Sequence, residues 1–402
     1  MTDNKDKKVL NVPALRFPEF SGEWKEERLD EIADLSKGVG ISKEQLSEDG
    51  EPCILYGELY TKYKSEIIRK VISKTNIESS NLKRSKRNDV IIPCSGETAI
   101  DIAVARCIPF DNILLGGDLN IIRLHKDDGA FMAYQLNGKR KIDIAKLAQG
   151  VSVVHLYGEN LKSIKTYNPC LQEQQKIVKL LSMFDERIEA QNKIIEDLKK
   201  LRSAISKQVF AQEPNGWSRL DTLFSKGKAG GTPTSTNKEY YNGEIPFLSI
   251  NDITKQGKYV RYTENHLSQS GLENSSAWVV PKYSLIMSMY ASVGLVTINE
   301  IPITTSQAMF AMQLKDKDLL DYLYYYLSYF KYRHIHKYLE TGTQSNINAD
   351  IVRGIMIPTY GYSRNMEIAS TLQSIDVKID NELSVLKLFN RQKNYLLSQM
   401  FI

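Results

Sequence analysis

The stretch IVKLLSMFDERI, residues 177–188, recurs 191 positions later as IASTLQSIDVKI, residues 368–379. Apolar and acidic positions both correspond, and Asp185 is matched by Asp376. The likeness continues to the end, because KQVFA at 207–211 falls on the closing SQMFI. This period exceeds the roughly 20–50 residues of a solenoid repeat. The sequence therefore predicts a duplicated domain, with each copy ending in a similar helix.

Both copies of the helix carry apolar residues at intervals of three and four, the spacing of a coiled-coil seam. The seam positions are Ile177, Leu181, Phe184, Ile188, Ile195, Leu198 and Ile205 in the first helix and Ile368, Leu372, Ile375, Ile379, Leu386, Phe389 and Leu396 in the second. Polar residues interrupt it at matched places, Gln191 with Glu382 and Arg202 with Lys393, and such residues commonly fix helix register. We expect the helices to pair with each other. Packing of each helix on its own domain alone is the alternative.

The predicted fold class is α+β, with two tandem mixed α/β domains joined by two long antiparallel helices that form a coiled coil. An approximate two-fold axis would relate the domains. The predicted boundaries are a flexible tail at 1–14, domain one at 15–168, a central helix at 169–213, domain two at 214–361 and a C-terminal helix at 362–402. At ~1.5 Å per residue, a helix of about 40 residues spans roughly 60 Å. The helix pair would then act as a ruler between the domains.

Composition indicates an ordinary globular protein, with 42% hydrophobic and 25% charged residues among 402. The net charge of +5 is too small to establish nucleic-acid binding, so any such surface must be a local patch. No apolar run approaches the ~20 residues of a membrane span. The four cysteines have neither zinc spacing nor a disulfide framework, and we expect a cytoplasmic protein with no metal site.

Motifs for catalysis are missing from the sequence. There is no Gly-x-x-x-x-Gly-Lys-Ser/Thr loop for ATP and no Asp/Asn-Pro-Pro-Tyr/Phe segment for amino-group methylation. The nearest approach, Asn168-Pro169-Cys170, lacks both the second proline and the aromatic residue. We therefore expect a chain without catalytic activity of its own.

Four segments carry a resemblance to a known family. The segments GGTPTSTN at 230–237 and YYNGEIPFLSINDI at 240–253 closely resemble the target recognition domain of type I restriction–modification specificity subunits. GTQSNIN at 342–348 and LQEQQKI at 171–177 are similar to further motifs of that family. The resemblance covers essentially the whole chain, including its domain–helix–domain–helix order.

Two departures from the family pattern have consequences. Domain one has GVGIS at 38–42 and PCILYGELY at 52–60 in place of the motifs of domain two. It resembles a different class of recognition domain, so the two domains should recognise different sequences. In the second helix, RNM at 364–366 replaces the EQQ at 173–175. The two helix starts are therefore not expected to make equal contacts.

The resemblance implies a non-catalytic subunit in which each domain recognises one half of a bipartite, asymmetric DNA target. The helices would set the spacer and dock two methyltransferase subunits, and restriction/translocase subunits would join the full complex. That complex would be a DNA adenine methyltransferase and an ATP-dependent endonuclease, with S-adenosylmethionine, ATP and Mg bound by the partner subunits and none by this chain. A self-sufficient methyltransferase and a protein-only coiled-coil adaptor are the alternatives.

DNA recognition needs cations for phosphates and amide, hydroxyl, guanidinium or carboxylate groups for base edges. In domain one the candidates are Lys37, Lys43, Glu58, Tyr60, Lys62, Tyr63, Lys64, Ser95 and Thr98, together with the basic cluster Lys83, Arg84, Lys86 and Arg87. In domain two they are Thr232, Thr234, Ser235, Asn237, Tyr240, Asn251, Asp252, Lys255, Tyr290, Ser306, Gln307, Thr343, Gln344 and Asn346.

Some candidates have an equally good structural interpretation. Thr232 and Ser235 could be turn caps, and Asn251 and Asp252 could close a strand end. The basic cluster could be a solvated turn. The tyrosine-rich stretch at 319–339 is expected to be mainly helix core.

Overall fold

A computed structural model of the chain describes residues 10–78, 80–338 and 346–402. It divides into two compact units, a first unit of residues 1–193 and 384–402 and a second unit of residues 194–383. The two long helices pass from one unit into the other. Each unit therefore combines one of the predicted domains with a segment of both helices.

Among its described residues, the first unit contains thirteen strands and six short α-helices. The strands are β1 (Lys25–Arg28), β2 (Ala33–Lys37), β3 (Leu46–Ser47), β4 (Glu51–Ile54), β5 (Ser73–Thr75), β6 (Lys83–Arg84), β7 (Asp89–Pro93), β8 (Ser95–Gly96), β9 (Arg106–Ile108), β10 (Leu114–Leu115), β11 (Leu119–Leu124), β12 (Val154–His155) and β13 (Lys165–Asn168). The helices are α1 (Leu29–Ile32), α2 (Glu58–Thr61), α3 (Ala99–Ile102), α4 (Gly129–Asn137), α5 (Lys141–Lys146) and α6 (Gly158–Leu161), followed by the long α7 (Leu171–Phe210).

The second unit has its own strands and helices. The strands are β14 (Gly216–Arg219), β15 (Phe224–Ala229), β16 (Tyr241–Leu248), β17 (Tyr259–Val260), β18 (Asn265–Leu267), β19 (Leu285–Ser288), β20 (Val296–Asn299), β21 (Thr304–Thr305), β22 (Met309–Leu314) and β23 (Met356–Thr359). The helices are α8 (Leu220–Leu223), α9 (Ile250–Gln256), α10 (Gln269–Glu273), α11 (Leu320–Arg333) and α12 (Ala349–Gly354), followed by the long α13 (Tyr362–Gln399). Among the described residues, no helix combines the length and hydropathy needed to cross a membrane.

The central sheets of the two units have the same topology. Antiparallel strands follow the order β2-β11-β7-β9 in the first unit and β15-β22-β19-β20 in the second, where β17 adds a parallel edge strand. In the first unit, Ile122 packs with Met132 of α4 on one face of the sheet. Ile121 packs with Ile54 of the second sheet on the other face. Because both faces are covered, β7 is buried along its whole length. The shared strand order confirms the duplication predicted from the repeat.

The second sheets of the two units differ. In the first unit the order is β3-β5-β4-β10-β6, whereas the second unit has β18-β16-β21. Each of these sheets includes part of a motif that distinguishes the two domains, PCILYGELY in β4 and YYNGEIPFLSINDI in β16. The duplication therefore preserves the central sheet but not the second sheet.

The long helices pair within each unit, as the seam predicts. In the first unit, Ile177 and Leu181 of α7 pack with Leu397 of α13. In the second unit, Phe210 at the end of α7 packs with Ile368 and Leu372 near the start of α13. The start of one helix thus meets the end of the other, which is an antiparallel arrangement. All fourteen predicted seam residues are buried or half-buried.

A buried polar cluster fixes the helix pair in the first unit. The Tyr134 hydroxyl donates a hydrogen bond of 2.6 Å to Oδ2 of Asp185. The Lys393 ammonium group lies 2.6 Å from Oδ1 of the same carboxylate. Burial, together with the negative charge of Asp185, raises the pKa of Tyr134, so its hydroxyl stays protonated as a donor.

The same cluster recurs in the second unit. Tyr325 donates to Oδ2 of Asp376 at 2.8 Å, and a guanidinium nitrogen of Arg202 lies 2.5 Å from Oδ1. Each of these residues lies 191 positions from its counterpart in the sequence. In both units the aspartate lies on the helix of its own copy, and the cation comes from the other helix. The polar seam interruptions Arg202 and Lys393 are therefore the residues that tie each helix to its partner.

The starts of the two helices differ, as the departure at RNM indicated. Glu173 is buried and accepts hydrogen bonds from Arg16 Nε at 2.7 Å and from the Trp24 indole at 3.3 Å. Its counterpart Arg364 instead pairs with Glu367 on its own helix at 2.8 Å. An apolar and aromatic cluster next to Glu173 includes Phe401 and Ile402. The Phe401 ring packs against Trp24 and Phe131.

Candidate nucleic-acid interface

Loops of the first unit converge at one end of its central sheet. The last residue of β2, Lys37, lies opposite Asn120 at the start of β11, and the last residue of β7, Pro93, lies opposite Leu119. The loops that follow β2 and β7 and the loop that precedes β11 therefore lie at the same end. These loops contain residues 38–42, 94 and 116–118.

Glycines allow these loops to approach one another closely. A Cβ atom on Gly38 would overlap the carbonyl oxygen of Gly116. Gly40 has φ = 64°, and its carbonyl accepts a hydrogen bond from the Gly117 amide. The glycines of the GVGIS motif are thus needed for backbone contact between the loops.

The convergent loops form a cleft of about 740 Å³ with the segment after β4. Its wall includes Ser42, Lys43 and Lys62, so the GVGIS and PCILYGELY motifs of domain one meet there. Lys37, beside the cleft, lies 3.1 Å from Asp118, and both side chains are largely exposed. The hydrogen bond from Lys37 to Asp118 raises the pKa of Lys37. The cleft therefore presents lysines, a hydroxyl and backbone groups, which suit a nucleic acid, together with the carboxylates of Glu58 and Asp118, which pair with Lys62 and Lys37.

Several candidates of domain one serve the fold around this cleft. Glu58 is buried and accepts hydrogen bonds from the Leu55 amide at 3.0 Å and from Lys62 at 2.6 Å. Tyr63 is buried, and burial raises its pKa to about 12. Both residues hold the α2 segment in place, which leaves Lys62 and Lys64 as exposed groups on its surface.

The other candidates after β7 and on α2 have mixed environments. Tyr60 is half-buried, and burial raises its pKa. Ser95 is buried in β8, where it pairs with His155 of β12. Thr98 is exposed and caps α3 by accepting a hydrogen bond from the Asp101 amide at 3.2 Å.

The basic cluster of domain one is divided by the fold. Lys83 lies opposite Leu115, next to the convergent loops. Arg84 is paired with Glu51 at 2.7 Å. Lys86 and Arg87 are exposed but precede the start of β7, at the end of that strand away from the loops. The cluster thus does not form one continuous surface with the cleft.

An equivalent convergence occurs in the second unit. Ala229 at the end of β15 lies opposite Phe310, and Ser288 at the end of β19 lies opposite Met309. The loops after β15 and β19 and the loop before β22 therefore share one end of the sheet. They carry the candidates Thr232, Thr234, Ser235, Tyr290, Ser306 and Gln307.

Close backbone contacts join these loops as well. The Gly231 amide donates to the Thr305 carbonyl at 2.9 Å, and a Cβ atom on Gly230 would overlap that same carbonyl. The Ile347 amide donates to the Met289 carbonyl at 3.0 Å, which brings Asn346 to the loop that contains Tyr290. Thr232, Thr234, Ser235, Tyr290 and Gln307 are exposed, whereas Ser306 and Asn346 are half-buried.

The remaining candidates of domain two lie on the flanking elements. Asn237 caps a short 3₁₀ turn through the Glu239 amide at 3.1 Å, and the Tyr240 carbonyl accepts a hydrogen bond from the Ser268 amide at 3.0 Å. Thr343 and Gln344 lie outside the described residues.

Helix α9 carries the last three candidates. Asn251 and Lys255 are exposed and both contact Glu264, which lowers the pKa of that carboxyl group. Asp252 is buried and forms a capping box with Ser249 at the start of α9. Asn251 and Asp252 therefore belong to a helix start, and not to a strand end.

The loop before β12 also lies at the end of the first unit's central sheet where the loops converge, and none of the candidate residues chosen from the sequence lies in it. Val151 is 97% exposed, and Val153 and Tyr157 are also exposed. His155 of β12 lies opposite Ser95, which follows β7. The signal was present in the sequence, because the repeat places Gly150 at the position of Gly342 in the GTQSNIN motif.

Comparisons with known proteins agree with this architecture. A family model described as type I restriction modification DNA specificity domain matches residues 21–200 and 214–386. The chain is also similar to the type I restriction enzyme MjaIX specificity subunit of Methanocaldococcus jannaschii, with 27% identity over 158 residues, 38% of this chain and 36% of the relative. The chain thus matches about a third of the length of that relative.

Two solved structures are similar in fold. One is the type I restriction–modification system S subunit from M. genitalium, with a TM-score of 0.61 and 18% identity, covering 97% of this chain and 99% of that chain. The other comes from a study of complex assembly and conformational transition of the type I R-M system, with a TM-score of 0.59 and 17% identity, covering 94% of this chain and 97% of that one.

Proposed function

Because this chain belongs to the family of type I restriction modification DNA specificity domains, we propose that it recognises DNA for a type I restriction–modification complex. Each unit recognises one half of a bipartite target. The unread spacer between the half-sites is set by the length of the helix pair α7 and α13.

The observation that carries this proposal is the pair of equivalent sheet ends. Both units gather loops at the same end of the same four-stranded sheet, as the strand registers of β11 and β22 indicate. The residues at these ends differ, with Lys37 and Lys43 on either side of the loop after β2 in the first unit and Thr232 and Gln307 in the loops of the second. The same central sheet with different loops suits a protein that binds DNA at two places and recognises a different base sequence at each. The target is therefore asymmetric.

The exposed faces of the helices support docking of methyltransferase subunits. Met183, Ile194 and Leu201 are exposed on α7, separated by eleven and seven residues. Val377, Leu388 and Tyr395 repeat this spacing on α13 and are also exposed. Intervals of seven and eleven keep residues on one face of a helix. Exposed apolar residues on both helices are consistent with one partner docking on each helix.

Catalysis in this proposal belongs entirely to the partners. Methyltransferase subunits bind S-adenosylmethionine and modify adenine, and restriction/translocase subunits use ATP and Mg. This chain recognises the target sequence and provides the scaffold, and it contributes no catalytic residue. The absence from the sequence of the ATP loop and of the methylation segment supports this division.

Base-resolution methylation mapping tests the proposal. DNA would be taken from cells that co-express this chain with its methyltransferase partner, and from cells that express the partner alone. We expect a split motif with two unlike half-sites and a fixed gap, present only with this chain. If the partner is active with another specificity subunit and this chain adds no methylation, the proposal is wrong and the protein-only adaptor is favoured.

A further inference from the structure

The second unit has a cleft of about 590 Å³ beside its sheet end. One wall is the segment of α7 that carries Ser203 and Lys207. The facing wall is the last part of α11, including Lys331 and Arg333. The floor includes Gly294 in the turn between β19 and β20. The cleft lies entirely within the second unit.

The side chains that line this cleft are basic or neutral. Lys207, Lys331 and Arg333 all contribute to it, and no aspartate or glutamate does. Within residues 10–78, 80–338 and 346–402, none of these three cations has a carboxylate at ion-pair distance, in contrast to Arg202, which is held by Asp376. The cleft thus carries positive charge that the described part of the fold does not neutralise.

The environment of Lys331 indicates an anionic occupant. Its side chain is half-buried beside Gly294, and burial lowers its pKa because the charged ammonium group loses hydration. An anion in the cleft would compensate for that loss. Hydroxyl groups of Ser203, Ser206 and Ser328 line the same space and can donate hydrogen bonds to it.

The position of the cleft identifies the anion. Gly294 and Leu295 form part of its wall and belong to the same turn as Tyr290, and Val296, which also lines it, begins β20. That turn lies at the sheet end where the candidate recognition loops of this unit meet. A duplex bound there would extend its sugar–phosphate backbone along this wall. Lysine, arginine and hydroxyl groups are the usual partners of backbone phosphates.

We propose that this cleft binds backbone phosphates of the DNA duplex next to the half-site recognised by the second unit. Lys207 and Lys331 are the principal phosphate contacts. This inference rests on the proposed function, and adds sequence-independent contacts that anchor the duplex while the loops recognise bases.

A cleft of about 720 Å³ in the first unit shares one feature with this one. Lys393 of the Asp185 cluster lines it, as Arg202 of the Asp376 cluster lines the cleft of the second unit. Outside the long helices its wall is different, because it comes from residues 62–72 and not from a counterpart of α11. Asp185 and Glu189 also line it, so it is not free of carboxylates.

The test measures the salt dependence of DNA affinity. The full-length chain, purified with its methyltransferase partner, would be titrated with a fluorescent duplex that carries the mapped target at several salt concentrations. The logarithm of the binding constant K falls linearly with the logarithm of the salt concentration. Each phosphate contact makes this slope steeper by about 0.9. We expect Lys207→Gln/Lys331→Gln to make the slope shallower by about 1.8. Binding to target and non-target duplexes should weaken equally. The methylated motif should stay the same.

A matched double variant controls for the loss of two charges. Lys282 precedes β19 and Lys317 follows β22, at the end of the sheet away from the recognition loops. Lys282→Gln/Lys317→Gln should leave the slope unchanged. Circular dichroism would verify that both double variants are folded.

Two results would overturn the inference. One is a wild-type slope in the Lys207→Gln/Lys331→Gln complex. The other is an unchanged slope with loss of the co-purifying methyltransferase subunit, which would assign the cleft to an acidic protein surface. Failure of the proposed function itself looks different, because the wild-type complex would then show neither salt-dependent DNA affinity nor a methylated motif.

Discussion

The Lys393 ammonium group lies 2.6 Å from Oδ1 of Asp185, although the lysine belongs to the second copy of the repeat and the aspartate to the first. Lys393 also lies 2.5 Å from Glu66, so one ammonium group contacts two buried carboxylates in the first unit. Arg202 of the first copy makes the reciprocal pair with Asp376 in the second unit. Each unit is thus completed by a side chain from the other copy's helix.

Removing this lysine should destabilise the first unit. Lys393→Met leaves Asp185 and Glu66 buried without their ion-pair partner, which typically costs about 3–5 kcal/mol. Lys393→Arg keeps the charge and should be closer to the wild type. Urea unfolding followed by circular dichroism measures the difference. The control is Lys200→Met, which removes an exposed pair with Glu196 and should have no measurable effect. An unchanged midpoint for Lys393→Met would contradict the structural role of the pair.

A second prediction concerns a buried oxygen without a hydrogen-bond donor. Among the described residues, Oδ2 of Asp127 has no partner. Its counterpart 191 positions later, Asp318, accepts a hydrogen bond of 2.9 Å from the Tyr362 hydroxyl. Leu171 stands where Tyr362 stands in the second copy, and it lines the same pocket as Asp127. Leu171→Tyr should therefore stabilise the first unit by about 1 kcal/mol. Leu171→Phe, which lacks the hydroxyl, is the control and should not reproduce the gain.

Thiol labelling should distinguish one cysteine from the other three. Burial raises the pKa of Cys107 to about 12 and the pKa values of Cys53 and Cys94 to about 11. These thiols stay protonated and shielded at pH 8, whereas Cys170 is exposed. A maleimide reagent should modify Cys170 rapidly and the others only after unfolding, as measured by mass spectrometry. Rapid labelling that persists in Cys170→Ser would contradict the described packing.

Lengthening both helices should lengthen the spacer in the DNA target. One heptad inserted after Gln191 and one after Lys387 would leave the Asp185–Lys393 and Asp376–Arg202 pairs intact. Seven residues add about 10 Å of helix, roughly three base pairs at about 3.4 Å each. Methylation mapping should then find the same two half-sites with a longer gap. An unchanged gap in an active variant would exclude the helices as a ruler.

Substitutions at one sheet end should affect one half-site. Gln307→Ala or Tyr290→Ala should relax or weaken only the half-site recognised by the second unit, with a loss of about 1–3 kcal/mol for each base contact removed. Methylation of a library randomised in both half-sites would measure this. Thr222→Ala, on α8 and outside the convergent loops, is the control. Equal relaxation of both half-sites would contradict one half-site per unit.

The repeat made the helices and their pairing predictable, because apolar spacing determines which side of a helix is buried. It also marked Arg202 and Lys393 as matched interruptions. It could not identify Asp185 and Asp376 as their partners, since spacing along one helix does not show which residue of another helix will lie opposite.

The recognition loops were less predictable. Tyr290, Gln307 and Thr232 lie far apart in sequence and meet only through the register of β15, β19 and β22. Glu58 and Asp252 have the chemistry of base-contacting residues, yet both are buried and hold backbone amides. Side-chain type alone could not separate these two uses.

Residues 384–402 belong to the first unit, and this affects the order in which the two units can fold. Leu397, Met400 and Phe401 belong to the same buried cluster as Trp24. The first unit therefore cannot complete its core until residues 397–401 have been synthesised, and by then every residue of the second unit has already been synthesised. Domains commonly fold from the N-terminus onward during synthesis. Here the first unit, most of which is synthesised before the second, is the last to have all the residues of its core.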